Sequence, residues 1–114
     1  MRCIALIDHG PNWIPDRSVY EQGAPIEAHL ASMRRRYDEG VLLLGGPFAS
    51  HRGGIAVLDV DDEAAARRLM DADPAVVAGV MSYRLETVIA YFDVMSQTRT
   101  TATASQLDPR RDPS

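Results

Sequence analysis

Val41-Leu42-Leu43-Leu44-Gly45-Gly46-Pro47-Phe48-Ala49-Ser50-His51-Arg52-Gly53-Gly54-Ile55-Ala56-Val57-Leu58-Asp59-Val60 holds the pattern that decides the fold. Val41 to Leu44 is apolar at every position, the signature of a strand with cover on at least one side. Gly45-Gly46-Pro47 is expected to end or kink that strand. Ser50 to Gly54 reads as a hairpin tip, and Ile55 to Val60 as the returning strand. A hairpin in mid-chain leaves one question, which is what flanks it on each side.

A helix precedes it. Pro25 suits the first helical position, and Gly40 is a natural left-handed stop. Between Pro25 and Glu39, Ile26, Leu30, Met33 and Tyr37 form one apolar stripe. A second helix follows the hairpin. Asp61 or Asp62 caps it, and Ala65, Leu69 and Ala72 form its inward stripe. Arg2 to Asp8 reads as a first strand, stopped by His9-Gly10-Pro11-Asn12. Ser82 to Phe92 reads as a last one, with Tyr83, Leu85, Thr87, Ile89 and Tyr91 alternating against polar positions.

The order is β-α-β-β-α-β, an α+β, ferredoxin-like antiparallel sheet with two helices on one face. The opposite face is left largely apolar. Covering it with a second copy gives a dimeric α+β barrel, so a homodimer through that sheet face is expected.

With 114 residues, 46% of them hydrophobic, the chain is one domain with an ordinary core. The domain is read as residues 1–95. Residues 96–114, rich in Thr, Ser, Arg and Pro, are read as a tail that is flexible or ordered only by a partner. A net charge of −4 speaks against a nucleic-acid partner. Arg34, Arg35 and Arg36 point in different directions on a helix and read as a solvated face. The sole cysteine, Cys3, lies in an apolar run and reads as a buried, inert thiol in a cytoplasmic protein. There is no signal-peptide pattern and no membrane-length apolar run. No metal-ligand spacing, Walker loop, dinucleotide fingerprint or nucleophile elbow occurs, so neither metal nor cofactor is expected.

The candidate site residues follow from chemistry. His29 lies on the first helix, 60° from the centre of its stripe, where it is either a boundary histidine or an acid–base group working near neutral pH. Asp73, before Pro74, either caps a turn or orients that imidazole. Gly46 and Pro47 either end a strand or bring backbone toward a ligand oxygen. Asp8 and His9 follow strand one, and the ends of strands one and three would share a cavity mouth. Trp13 and Tyr20 sit in a long connection, as lid, apolar wall or packing. His51 is read as a solvated residue of the hairpin tip.

Several short pieces occur together in order: His29 in the helix, Glu39-Gly40, Gly45-Gly46-Pro47-Phe48, Gly54, Glu63-Ala64-Ala65, and Asp73-Pro74 before Ala78-Gly79. Asp8-His9-Gly10-Pro11-Asn12-Trp13 joins them. From Arg2 to Phe92 the chain resembles the YCII-related family of small dimeric α+β barrel proteins, which is similar in fold to muconolactone isomerases. The resemblance implies an active-site pair at His29 and Asp73. It also implies relatives that are enzymes, among them a dehydrochlorinase of a chlorinated hydroxyhydroquinone.

The expected function is therefore cofactor-free acid–base chemistry on a small, aromatic-type metabolite by elimination, isomerisation or lactone opening. The alternative is a small-ligand-binding or accessory dimer without turnover.

Overall fold

A computed structural model describes residues 1–94 and residue 110. Four strands, β1 (Arg2–His9), β2 (Leu42–Pro47), β3 (Gly54–Asp59) and β4 (Met81–Val88), form one sheet in the order β2-β3-β1-β4. Every pairing is antiparallel. Three helices accompany it: α1 (Ala24–Asp38), α2 (Glu63–Asp71) and the single turn α3 (Pro74–Val77). The ferredoxin-like α+β architecture expected from the sequence is the one observed. The tail expected from residue 96 lies outside the described residues, Arg110 excepted.

One face of the sheet makes the core. Cys3 and Ala5 of β1, Leu42 of β2, and Ala56 and Leu58 of β3 point to Met33 of α1 and to Ala66 and Met70 of α2. Cys3 is fully buried, as expected, with its Sγ 3.6 Å from Thr87 Oγ1. Tyr83 joins β4 to α2 by donating its hydroxyl hydrogen to Asp71 Oδ1 at 2.5 Å. Burial first, then that hydrogen bond, raises the Tyr83 phenol above its ordinary pKa.

Several boundaries and faces differ from the sequence reading. Gly45 and Gly46 do not stop β2, which runs on through them and ends at Pro47. These three residues continue the ladder opposite Ala56, Ile55 and Gly54, after an irregularity between Leu42 and Leu44. That irregularity turns Leu42 inward and leaves Leu44 58% exposed on the opposite face. Pro47 is tolerated because β2 is an edge strand. β4 ends at Val88, so Ile89 and Tyr91 do not extend its alternation.

Both helices are also turned relative to their expected stripes. On α1, Ile26 and Met33 are buried, but Leu30 and Tyr37 are exposed. The inward side runs through Ile26, His29, Met33 and Arg36, because α1 packs on α3 as well as on β2. On α2 the buried centre is Ala66 and Met70, flanked by Ala65 and Leu69, while Ala72 is an exposed C-cap. Asp62 is the N-cap, its side chain accepting from the Ala65 amide at 2.7 Å. The arginine run is solvated largely as expected: Arg34 pairs with Asp38 and Arg36 with Glu39.

Truncation should separate the two stripes. Met70→Ala, inside the core, should cost about 2–5 kcal/mol of stability. Leu30→Ala, at an exposed position, should cost under about 1 kcal/mol. Urea denaturation of the two variants checks this.

Candidate active site

Asp73 is the hub of the site, and a local reason puts it there. Pro74 cannot continue α2 and instead starts α3 at its first position. Asp73 thereby becomes the N-cap of α3, with Oδ1 accepting from the Ala75 amide at 2.9 Å. Its other oxygen, Oδ2, lies 2.8 Å from His29 Nδ1. Asp73 is only 1% exposed, and the His29 side chain 12%. With the carboxylate as acceptor, His29 carries its hydrogen on Nδ1, and Nε2 is the nitrogen left for a ligand. The capping and pairing roles considered separately from the sequence are held at once by one carboxylate.

His29 opens into a cavity of about 510 Å³ between α1, the sheet, the loop before α1 and the β2–β3 hairpin. That size suits a small organic molecule. Asp8, His9, Trp13, Gly46 and Pro47 all line it, while Asp73 stands behind His29. Strand β3 contributes its start, Gly54 and Ile55, because it runs antiparallel to β1; the expected end of strand three lies elsewhere. Much of the wall is apolar, through Ile7, Ile26, Leu30, Met33 and Leu42. His51 is exposed in the hairpin tip, as expected, at a positive φ of 63°, and from there it also borders the cavity.

The loop from Gly10 to Gly23 is a built wall. Gly10 N–H donates to Val80 O at 2.9 Å, and Asn12 N–H to Gly79 O at 2.7 Å. A Cβ on Gly10 would stand 2.2 Å from Gly79 O, so only glycine permits this approach. The Asn12 side chain adds a bond to Ala78 O at 2.9 Å. These contacts set the Trp13 indole flat against the His9 ring, with centroids 3.8 Å apart and planes 5° apart. Farther along, Gln22 is 4% exposed. Its amide bonds Ile14 N–H and the carbonyls of Ile14, Arg17 and Ser18. Trp13 and Tyr20 both reach the cavity.

Gln22, Asp16, Arg17, Ser18 and Leu30 are wall or support residues that the sequence reading did not single out. Gln22 gave no signal, since one glutamine in a polar loop has no pattern. Leu30 carried one, its place on α1, but it read as core. Among the described residues there is no group of three or more His, Cys, Asp or Glu side chains placed to hold a metal. No helix among them is long and apolar enough to cross a membrane.

A small α+β protein with a histidine–carboxylate pair facing an apolar cavity is the class that fold and geometry define. The YCII-related domain model matches residues 1–89, and the chain belongs to that family. No curated protein matches the chain closely enough to count as a relative. Among solved structures it is similar to 5-chloro-2-hydroxyhydroquinone dehydrochlorinase (TftG) from Burkholderia phenoliruptrix AC1100, in complex with 2,5-dihydroxybenzoquinone. The TM-score is 0.59 at 16% identity, over 77% of this chain and 93% of that one. At that identity the likeness establishes the shared fold.

Two glycines of the hairpin should respond oppositely to a methyl group. A Cβ on Gly46 meets no atom within 4 Å, whereas one on Gly54 would stand 2.7 Å from Gly46 O. Gly46→Ala should melt within a few degrees of wild type, and Gly54→Ala should lose roughly 1–3 kcal/mol. Thermal unfolding of both variants is the measurement.

Proposed function

We propose that this protein is a cofactor-free acid–base catalyst acting on a small cyclic metabolite, with His29 moving the proton. The carrying observation is the 2.8 Å contact between His29 Nδ1 and Asp73 Oδ2 at the edge of the cavity. The carboxylate holds the ring in one tautomer and stabilises the imidazolium that forms when Nε2 takes a proton. Abstraction of a proton beside a carbonyl or a ring hydroxyl, followed by expulsion of a leaving group or by a double-bond shift, needs no more than this. Lactone opening would use the same base on water. Asp8, His9, Trp13, Gly46 and Pro47 are proposed as ligand contacts. The dehydrochlorinase of like fold, and its complex with a dihydroxybenzoquinone, support a hydroxylated ring as the first substrate to try.

The test is turnover of 5-chloro-2-hydroxyhydroquinone followed by chloride release. The wild type should turn over, and His29→Ala should lose at least about a hundredfold in kcat. Asp73→Asn should lose kcat with a smaller change in KM, because it alters the partner that orients the base. Binding of 2,5-dihydroxybenzoquinone without any turnover, across hydroxylated-ring and lactone substrates, would leave a ligand-binding module instead.

We also assign the protein a homodimeric state, and a cytoplasmic location in keeping with its single buried thiol. The sheet face away from the helices carries Ile4, Leu6, Ile55 and Val57, all half-buried, beside the exposed Leu44. Arg2 with Asp59, and Arg84 with Glu86, flank this strip as opposite-sign pairs. Two such faces related by a two-fold axis bury the strip and can match the charges. Val57→Arg should convert the dimer to monomer in analytical ultracentrifugation, whereas Arg35→Glu, on the exposed side of α1, should leave it paired.

A further inference from the structure

The loop before α1 brings a permanent cation to the cavity that holds His29. Arg17 lines that cavity. Among the described residues Arg2, Arg34, Arg36, Arg67 and Arg84 are each paired with a carboxylate, and of the arginines without an ion pair (Arg17, Arg35, Arg52 and Arg68) only Arg17 lines this cavity. Arg17 makes no ion pair although two carboxylates stand in the same wall. Asp8 turns its Oδ1 back to the His9 amide at 2.7 Å. Asp16 sits at a left-handed φ of 62° immediately before Arg17, and makes no ion pair with it. Meanwhile the Arg17 backbone is held: its carbonyl accepts from the buried Gln22 amide at 3.1 Å. A cation on an anchored backbone, uncommitted to any protein carboxylate, is available to an anion entering the cavity.

The shape of that anion is also constrained. The His9 and Trp13 rings are stacked nearly parallel, 5° apart with centroids 3.8 Å apart, and both residues line the cavity, so the stack offers it an aromatic flank. An incoming planar ring can lie along such a surface with its edge toward His29. A guanidinium is a planar fork that binds two oxygens or one delocalised oxygen anion in the ring plane. We infer that Arg17 is the anion-recognition residue of this cavity, and that its ligands are planar rings bearing an anionic oxygen group, carboxylate or enolate. This rests on the proposed use of the cavity as a substrate site and adds the charge class of the substrate. It also gives Arg17 a part in the chemistry. A cation at the ligand's oxygen favours the enolate that builds up when His29 removes a proton.

Trp13 is the only tryptophan in the chain, so its fluorescence reports occupancy of the cavity. The experiment titrates the full chain with benzoate and with benzamide, which are nearly isosteric and differ in charge. Wild type should bind benzoate about tenfold more tightly than benzamide, the size expected for one charge-assisted hydrogen-bonded pair. Added salt should shrink that preference, because Arg17 is exposed at the rim. Arg17→Gln should abolish the preference by weakening benzoate alone, and Arg17→Lys should keep part of it. If Arg17→Gln leaves the preference intact, or if wild type has none, the assignment of Arg17 falls while the cavity stands as a ring-binding site. If neither compound, nor 2,5-dihydroxybenzoquinone, changes the Trp13 signal or competes for the cavity, both readings fall together.

Discussion

Taking a carboxylate out of water costs several kcal/mol unless its oxygens find donors. Asp73, almost fully buried, meets that demand with two partners from different parts of the chain. Oδ1 takes the amide of Ala75 two residues on, and Oδ2 takes the imidazole of His29 from 44 residues earlier. The first bond is local and starts α3. The second is tertiary and joins α3 to α1. If either donor were missing, a buried acceptor would be left short, so the same desolvation that threatens the fold also fixes the geometry of the base. This constraint explains why α1 is turned to put His29 inward and Leu30 outward.

The cavity is the other half of the arrangement, and it exists because of what is left out. Where β2 and β3 border the cavity, the chain places Gly45, Gly46, Gly54 and Ala56, and at Gly46 a Cβ would meet nothing within 4 Å, so no side chain fills that space. The missing side chains cost stability by lowering apolar burial. In exchange a ligand-sized volume remains open beside His29. The roof is handled differently. The loop is held by one buried glutamine, by backbone contact between Gly10 and the Gly79–Val80 segment, and by packing of Trp13 and Val19 on Ile26, Ala75 and Val80. These contacts position side chains without using up the cavity.

Membership of the YCII-related family accounts for the fold and places this geometry among small α+β proteins. It does not by itself assign chemistry, since sites rather than folds carry function. In this chain an aromatic stack, a buried histidine–carboxylate pair and an arginine without an ion pair meet at one cavity.

The order of strands and helices was legible in the residues because each element carries its own local cause. Pro25 and Gly40 bound α1, Asp62 caps α2, and the run from Val41 to Val60 reads as a hairpin once the Ser50 to Gly53 segment is taken as its tip. His29, Asp73, and the stretch from Asp8 to Trp13 were also visible, as unusual residue types in short distinctive segments. Three things depended on the folded chain. Which side of α1 faces inward was set by packing on α3, a turn too short to show in any periodicity. The continuation of β2 through Gly45-Gly46-Pro47 was set by pairing with β3, since glycine and proline carry no strand preference of their own. The roles of Gln22 and Arg17 arise from bonds to segments distant in space or from the lack of them, and no local pattern encodes either. Sequence determines what each short segment tends to do alone; the meeting of distant segments, where burial forces polar groups to find partners, decides which residues become a site.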